Sequence, residues 1–420
     1  MNNCPAPGIP RAAFFTDAYH EVDGVAHTSR RLTAFARRDK RPFLCAHAGP
    51  ETAVYTEGSV THLALRRGPV SFSLDETLRH DLLLWRHAPL VLRAVRRFQP
   101  DVIHITGPGD LGQLGAWVAH RLNIPLVASW HTNVHQFGAA RFARCAAALP
   151  AAARALACRR IENGALDAAL RFYALARATL APNEELRTLL AGRTGKPCRI
   201  MQRGVDTDLF SPAKRARRDP VFRLGFVGRL RPEKNVRFLA RLEQALLLQG
   251  KTNFQFIIIG EGSERPWLEK HLHRARFTGV LRDEALARAY ADLDLFVFPS
   301  RTDTFGNVTL EALAAGVPAV VTSAGGPKFI IEHGVSGHAA TDDDDFIDTV
   351  IHLMSAPARL GEMRIAARVR AGEFSWDAVF EQVYDTWRYA LATSAAAPAQ
   401  TTVPAALPPR LPRAAPGAGH

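Results

Sequence analysis

Apolar residues in this chain gather into short solid runs, separated by stretches where apolar positions recur at helical spacing. AAFFT at 12–16 is the first run, and the polar loop DAYHEVDGVAH leads from it into a helical pattern reaching about Arg38. RPFLCAHA at 41–48 and the segments 53–55 and 60–65 read as short strands, and 81–98 reads as an apolar-periodic helix. DVIHIT, a Gly-rich turn (GPGDLG) that opens a helix, and IPLVASWHT complete this half. Solid apolar strands alternating with helices predict a parallel sheet covered on both faces, so the first half is expected to be a Rossmann-like α/β domain.

Residues 136–193 read as mostly helical, Ala-rich and basic. The polar, Pro-bearing run RGVDTDLFSPAKRARRDP reads as a hinge. A second alternation follows: FRLGFVGRL, a helix from about Asn235, NFQFIIIG, a helix from about Ser263, a strand at FTG, a helix from Asp283, and DLFVFP. The expected organisation is a flexible start at 1–10, a first domain at 11–205, a linker at 206–220 and a second doubly wound domain at 221–374. A helix at 375–392 then carries Trp376, Phe380, Tyr384 and Trp387 as a packing stripe, and an Ala/Pro-rich tail at 393–420 is expected to be disordered. The halves share their alternation but no sequence self-similarity, so no repeat is assigned.

A chain of 420 residues with 47% hydrophobic content is long enough for two large cores. No run of about 18 apolar residues predicts a membrane span, and the N-terminus lacks the basic and apolar regions of a signal peptide. Five scattered cysteines (Cys4, Cys45, Cys145, Cys158, Cys198) contain no C-x-x-C pair, which suits a reducing cytoplasm and gives no metal site. The net charge of +13 points to an anionic partner. Nucleic acid is disfavoured, because the arginines are spread out and no basic run alternates with aromatics. Between 141 and 177 seven arginines (Arg141, Arg144, Arg154, Arg159, Arg160, Arg171, Arg177) face only Glu162 and Asp167. That pattern fits a helix lying on anionic lipid, and equally a solvated domain face.

The richest segment is 298–327, FPSRTDTFGNVTLEALAAGVPAVVTSAGGP. It reads as a strand end, a loop bearing Asp303, a helix opening at Gly306 and Asn307 that carries Glu311, and another strand. The first amides of that helix, near Asn307, Val308 and Thr309, would favour a diphosphate above the strand ends. One carboxylate would then be placed for ribose hydroxyls and the other for sugar hydroxyls. Taken alone, the segment is equally an ordinary strand–helix unit with a solvated Glu311. In FVGRLRPEKN, Arg229 and Lys234 flank a turn after a strand, an arrangement suited to clamping a diphosphate.

These segments resemble the retaining nucleotide-sugar glycosyltransferases of the GT-B fold, family four. Asp303 and Glu311 fall on that family's E-x7-E signature, with Asp303 one methylene shorter than the usual Glu. GRLRPEKN matches its G-R-L-x-x-x-K motif, so the resemblance implies that Gly228, Arg229 and Lys234 hold the donor pyrophosphate. QRGVDTDLF resembles the segment joining the two domains, with Arg203 in place of the usual Asn, and Arg203, Gly204 and Asp206 are expected to line the cleft. Asp206 could equally cap hinge backbone. Glu261, between Gly260 and Gly262, is placed beside the cleft, with the two glycines allowing a ligand to approach. Backbone near Val280 and Leu281 would read the base, and Phe305, Gly306, Asn307 and Val308 complete the donor site. In the first domain Gly24 would approach the diphosphate or acceptor, with Asp23 before it in place of the usual Asn. His131, past a strand end, would contact the transferred sugar. His135 is four residues further on, but without a third ligand the pair gives no metal site.

The resemblance, closest to bacterial GDP-mannose-dependent α-mannosyltransferase-like members, implies two doubly wound domains facing across a cleft, with the final helix crossing back onto the first. It implies transfer of a hexose from a nucleotide diphosphate donor to a hydroxyl acceptor, with no cofactor and no metal. The basic helices favour a lipid-linked or membrane-surface acceptor, and oligomeric state is left open. A phosphorylase, an epimerase or a non-catalytic nucleotide-sugar binder are the alternatives.

Overall fold

The computed structural model describes residues 8–21, 24–69, 71–73, 79–81, 83–133 and 150–395. Strands β1 (Ala12–Thr16), β2 (Phe43–Gly49), β3 (Ala53–Glu57), β4 (Val60–Arg66), β5 (Ser71–Ser73), β6 (Arg79–Asp81), β7 (Val102–Ile105), β8 (Leu126–Ser129), β9 (Ala178–Ala181) and β10 (Cys198–Ile200) come first. Eight of them form one sheet in the order β10-β9-β8-β7-β1-β2-β4-β3, while β5 pairs with β6. Its neighbours are parallel except at the edge, where β3 and β4 form an antiparallel hairpin. The second sheet uses β11 (Phe222–Val227), β12 (Phe254–Ile259), β13 (Ala275–Gly279), β14 (Leu295–Phe298), β15 (Ala319–Thr322) and β16 (Gly337–Ala340). They lie in the order β13-β12-β11-β14-β15-β16, all parallel.

Strands buried on both faces have no polar side to write into the sequence, which is why β1 and β12 appear as solid runs. In the first sheet one face packs Leu44, Ala46, Ile103 and Ile105. The other packs Phe14, Phe43 and Val102 against Leu32 and Phe35, and the same cluster takes in Trp376, Phe380, Tyr384 and Trp387. The last helix, Trp376–Ala395, therefore leaves the second domain and buries its aromatic stripe on the first.

Several elements differ from the sequence expectation. Within 136–193, described from residue 150, the helix Ala151–Tyr173 is followed by strand β9 before the helix Glu184–Thr194. ATLA is too short and Ala-rich to announce a strand, and burial at all four positions removes any alternation. The helix read over 81–98 begins only at Ala88, after a 3₁₀ turn at Leu84–His87 and with a proline in its first turn. Asp81 instead ends β6 and accepts the amides of Gly68 at 2.6 Å and Leu83 at 2.9 Å. The final helix runs to Ala395, past the predicted tail start, and the rest of that tail lies outside the described residues. The stretch read as a hinge is fastened to the second sheet, where Arg215 (2.7 Å) and Arg217 both pair with Asp294. No helix among the described residues is long and apolar enough to cross a membrane.

Candidate active site

The C-terminal strand ends of the two sheets face one another, as open α/β sheets require for a ligand crevice. Three contacts fix this. Thr304 Oγ1 donates to the His131 carbonyl at 2.9 Å, Asn183 Nδ2 donates to the Thr304 carbonyl at 2.7 Å, and a Cβ on Gly24 would come within 3.1 Å of Asn307 Nδ2. Asn183 also caps the helix Glu184–Thr194 by accepting from Leu186 N at 2.9 Å, so one side chain both starts a helix and latches the loop opposite.

On the second-domain wall, Lys234 follows β11 on a short 3₁₀ turn and meets Asp303 Oδ1 at 2.5 Å. Burial would push the Asp303 carboxyl up, but the charge and hydrogen bond of Lys234 outweigh it and hold the group below its ordinary value. Ser300 and Arg229 add to that depression, Ser300 from beyond hydrogen-bonding geometry. Asp303 Oδ2 is buried with no hydrogen-bond partner among the described residues, an acceptor placed for a donor from elsewhere. Arg229 lies 3.8 Å from Glu233. Gly306 opens the helix Asn307–Ala314 in the left-handed region, at φ 99°, directly after the buried Phe305. Thr309 N is not among the open amides, because it donates to the Gly306 carbonyl at 2.9 Å. Asn307 and Val308 remain to carry the positive end of that helix.

Glu311 sits one turn further on and accepts from the Tyr290 hydroxyl at 3.0 Å. Burial raises its carboxyl to about 7, against the opposing effect of the Tyr290 bond. Tyr290 lies in the helix Asp283–Ala291 and offered no motif to a sequence reading, although its partner Glu311 did.

The first-domain wall carries His131, which is buried with both ring nitrogens engaged. Its Nε2 lies 2.6 Å from Ser129 Oγ and its Nδ1 lies 2.6 Å from Arg203 Nη2. Arg203 does not line the cleft with an open guanidinium. It is buried, and its Nη1 donates to the carbonyls of Met201 and Gln202 at 3.1 Å each. Asp206 pairs with Arg31 at 3.3 Å and accepts from Leu209 N at 3.0 Å, so it bridges first domain and hinge. Glu261 turns to Arg265 four residues on.

At the glycines beside Glu261 a side chain would meet backbone. A Cβ on Gly260 would lie 2.0 Å from the Gly228 carbonyl oxygen, and one on Gly262 would lie 2.3 Å from that of Leu230. The loops after β11 and β12 thus press on each other, which seats the turn bearing Arg229 and Lys234. Val280 is 52% exposed beyond β13, with Leu281 half-buried beside it. Asp23 and His135 lie outside the described residues, as do Arg141 and Arg144. Among the described residues no group of His, Cys, Asp and Glu side chains forms a metal cradle.

The family model described as glycosyl transferases group 1 matches residues 221–356, and that described as glycosyltransferase family 4 matches residues 22–209. The chain is 33% identical over 335 residues to a GDP-mannose-dependent alpha-mannosyltransferase of Corynebacterium glutamicum, covering 77% of this chain and 76% of that one. It is 35% identical over 308 residues to the enzyme of that name from Mycolicibacterium smegmatis, covering 70% and 75%. Among solved structures, sucrose-phosphate synthase from Thermosynechococcus elongatus superposes with a TM-score of 0.69 at 17% identity, over 91% of this chain and 100% of that one.

Proposed function

The chain belongs to the group 1, family 4 glycosyltransferases, and we propose that it transfers mannose from GDP-mannose to a hydroxyl acceptor with retention at the anomeric carbon. Its two facing Rossmann-like domains form the GT-B arrangement. The observation that carries this reading is the convergence of Lys234, Asp303 and the first turn of Asn307–Ala314 on one wall, latched through Thr304 to the other. Similarity to mannosyltransferases supports the choice of sugar and base.

Negative charge develops on the departing nucleotide and positive charge on the sugar ring. Fixed cations and amides aimed at the phosphate therefore supply most of the rate. Arg229 and Lys234 take that task in this reading, with the amides of Asn307 and Val308. Asp303 offers Oδ2 to a sugar hydroxyl, and Glu311 accepts from the ribose. The acceptor's proton passes to the leaving phosphate, and the scheme assigns no step to a metal. Thermal-shift titration with GDP, UDP, ADP and their sugars, followed by product analysis, tests the proposal. GDP-mannose should stabilise the protein most and yield a mannosylated product. Turnover of a UDP-sugar with none of GDP-mannose would overturn the assignment of the donor.

The raised carboxyl of Glu311 gives this reading a pH signature. Ribose hydroxyls donate to a carboxylate, so donor binding favours the ionised form. Affinity should hold above pH 7 and fall about tenfold per pH unit below it, the usual linkage for one proton taken up on release. Calorimetric titration at pH 6 and pH 8 reads the difference, and Glu311→Gln should flatten it. Equal affinities at the two values in the wild-type protein would remove Glu311 from the ribose.

A lipid-linked acceptor is supported by the helix Ala151–Tyr173, where Leu156 is 53% exposed beside the exposed Arg159 and Arg160. Sedimentation with anionic vesicles at low salt checks it, and a protein left wholly in the supernatant would count against it.

A further inference from the structure

Five polar side chains form a continuous buried chain behind the first-domain wall, and the transfer scheme uses none of their ring protons. Trp387 Nε1 donates to His104 Nδ1 at 3.2 Å. His104 Nε2 lies 2.9 Å from Ser129 Oγ, which lies 2.6 Å from His131 Nε2. Arg203 Nη2 closes the chain at 2.6 Å from His131 Nδ1. All five are buried.

The chemistry of the two ends fixes the proton positions between them. An indole N–H and a guanidinium only donate. His104 Nδ1 and His131 Nδ1 must therefore accept, so each ring is neutral and carries its proton on Nε2. Both then donate to Ser129 Oγ, whose own proton has the Ile105 carbonyl at 3.4 Å as acceptor. Each contact along the chain then joins one donor to one acceptor. A second proton on His131 would set an N–H against an N–H of Arg203. The titratable groups facing His131 among the described residues are Arg203 and His104, and burial together with the Arg203 charge opposes protonation of the ring.

We infer that Arg203 is a positioning residue that locks His131 as the neutral Nε2–H tautomer, so that His131 serves transfer through its carbonyl and not as an acid or a cation. That carbonyl receives the Thr304 hydroxyl, one residue from Asp303. The hinge at Arg203, the crossing helix at Trp387 and the donor loop at Thr304 are thereby tied to one histidine. The lock also explains why a strand-end histidine beside the cleft has no ring nitrogen left for a ligand.

The kinetic part of the test rests on the transferase reading, whereas the spectroscopic part does not. ¹⁵N NMR of the wild-type protein should show His131 Nδ1 unprotonated from pH 8 to pH 5. Protonation of Nδ1 within that range would overturn the inference whether or not the protein turns over sugar. Arg203→Met removes the donor while keeping the length. Its His131 should titrate at a higher pH than in the wild-type protein, with burial still holding it below the ordinary histidine value, and the acidic limb of kcat/KM should move up accordingly. Arg203→Lys, which retains a donor, should restore most of the wild-type pH profile. A Met variant whose profile matches the wild type would reduce Arg203 to a packing role. An Arg203→Met protein that fails to fold leaves the decision to the wild-type spectrum. Absence of turnover by the wild-type protein with every donor would remove the transferase reading and leave the tautomer lock to that same spectrum.

Discussion

Lys234→Ala is expected to cost transfer about a hundred- to a thousand-fold, the effect of removing one preorganised donor from developing negative charge, and to cost stability as well. The second loss follows from the partner. The side chains of Lys234 and Asp303 are only 13% and 18% exposed, and their contact is 2.5 Å. Removing the cation strands a carboxylate whose other oxygen already has no partner among the described residues. Breaking such a pair from one side costs roughly 3–5 kcal/mol when burial is complete, and the residual exposure here places the expectation at the lower end. The double variant Lys234→Met with Asp303→Asn removes both charges, and should recover most of the thermal stability while transfer stays low. That divergence separates phosphate binding from structural support. Full turnover by Lys234→Ala with its best donor would sink the assignment of Lys234 to the diphosphate.

Trp387→Ala should be the most destabilising single change on the crossing helix, by about 3–5 kcal/mol. The indole is fully buried, lies 6.3 Å from the ring of Phe43 and 4.3 Å from that of Tyr384, and belongs to the cluster that covers the first sheet. Its removal opens a large cavity and leaves His104 Nδ1 without its donor. Trp387→Phe isolates the second effect, because the ring is largely kept while the N–H is lost. It should cost about 1–3 kcal/mol, the penalty of leaving the buried His104 acceptor unpaired. Differential scanning calorimetry resolves the two, and Ala and Phe variants that melt together would show that packing of the ring contributes little.

Both predictions rest on contacts that connect distant parts of the chain, and such contacts leave no local mark in the sequence. Lys234, Asp303 and Glu311 were legible because each sits in a short motif whose internal spacing is local. Tyr290, Thr304 and Asn183 were not, since nothing near them in sequence announces a partner. Arg203 was legible only as a departure at a hinge position and was read as a cleft residue. Its guanidinium turned out to be buried, because a donor-only side chain could be satisfied by His131 and two backbone carbonyls. Gly260 and Gly262 were read as making room for a ligand, yet the close neighbour is the backbone of the preceding βα loop. A sequence records that a residue must lack a side chain, not what takes the space.

The sequence by itself determined the two alternating α/β halves, the aromatic stripe of the final helix and the acidic and basic motifs at the strand ends. Burial on both sheet faces is written directly as solid apolar runs, and the motifs lie within one loop and one turn. Only the tertiary structure decided that Lys234 meets Asp303 across 69 residues, that His131 meets Arg203 across 72, and that Trp387 reaches His104 across 283. Those pairings depend on which strands are neighbours and on how the last helix crosses back, and the pattern along a single strand or helix carries no record of either.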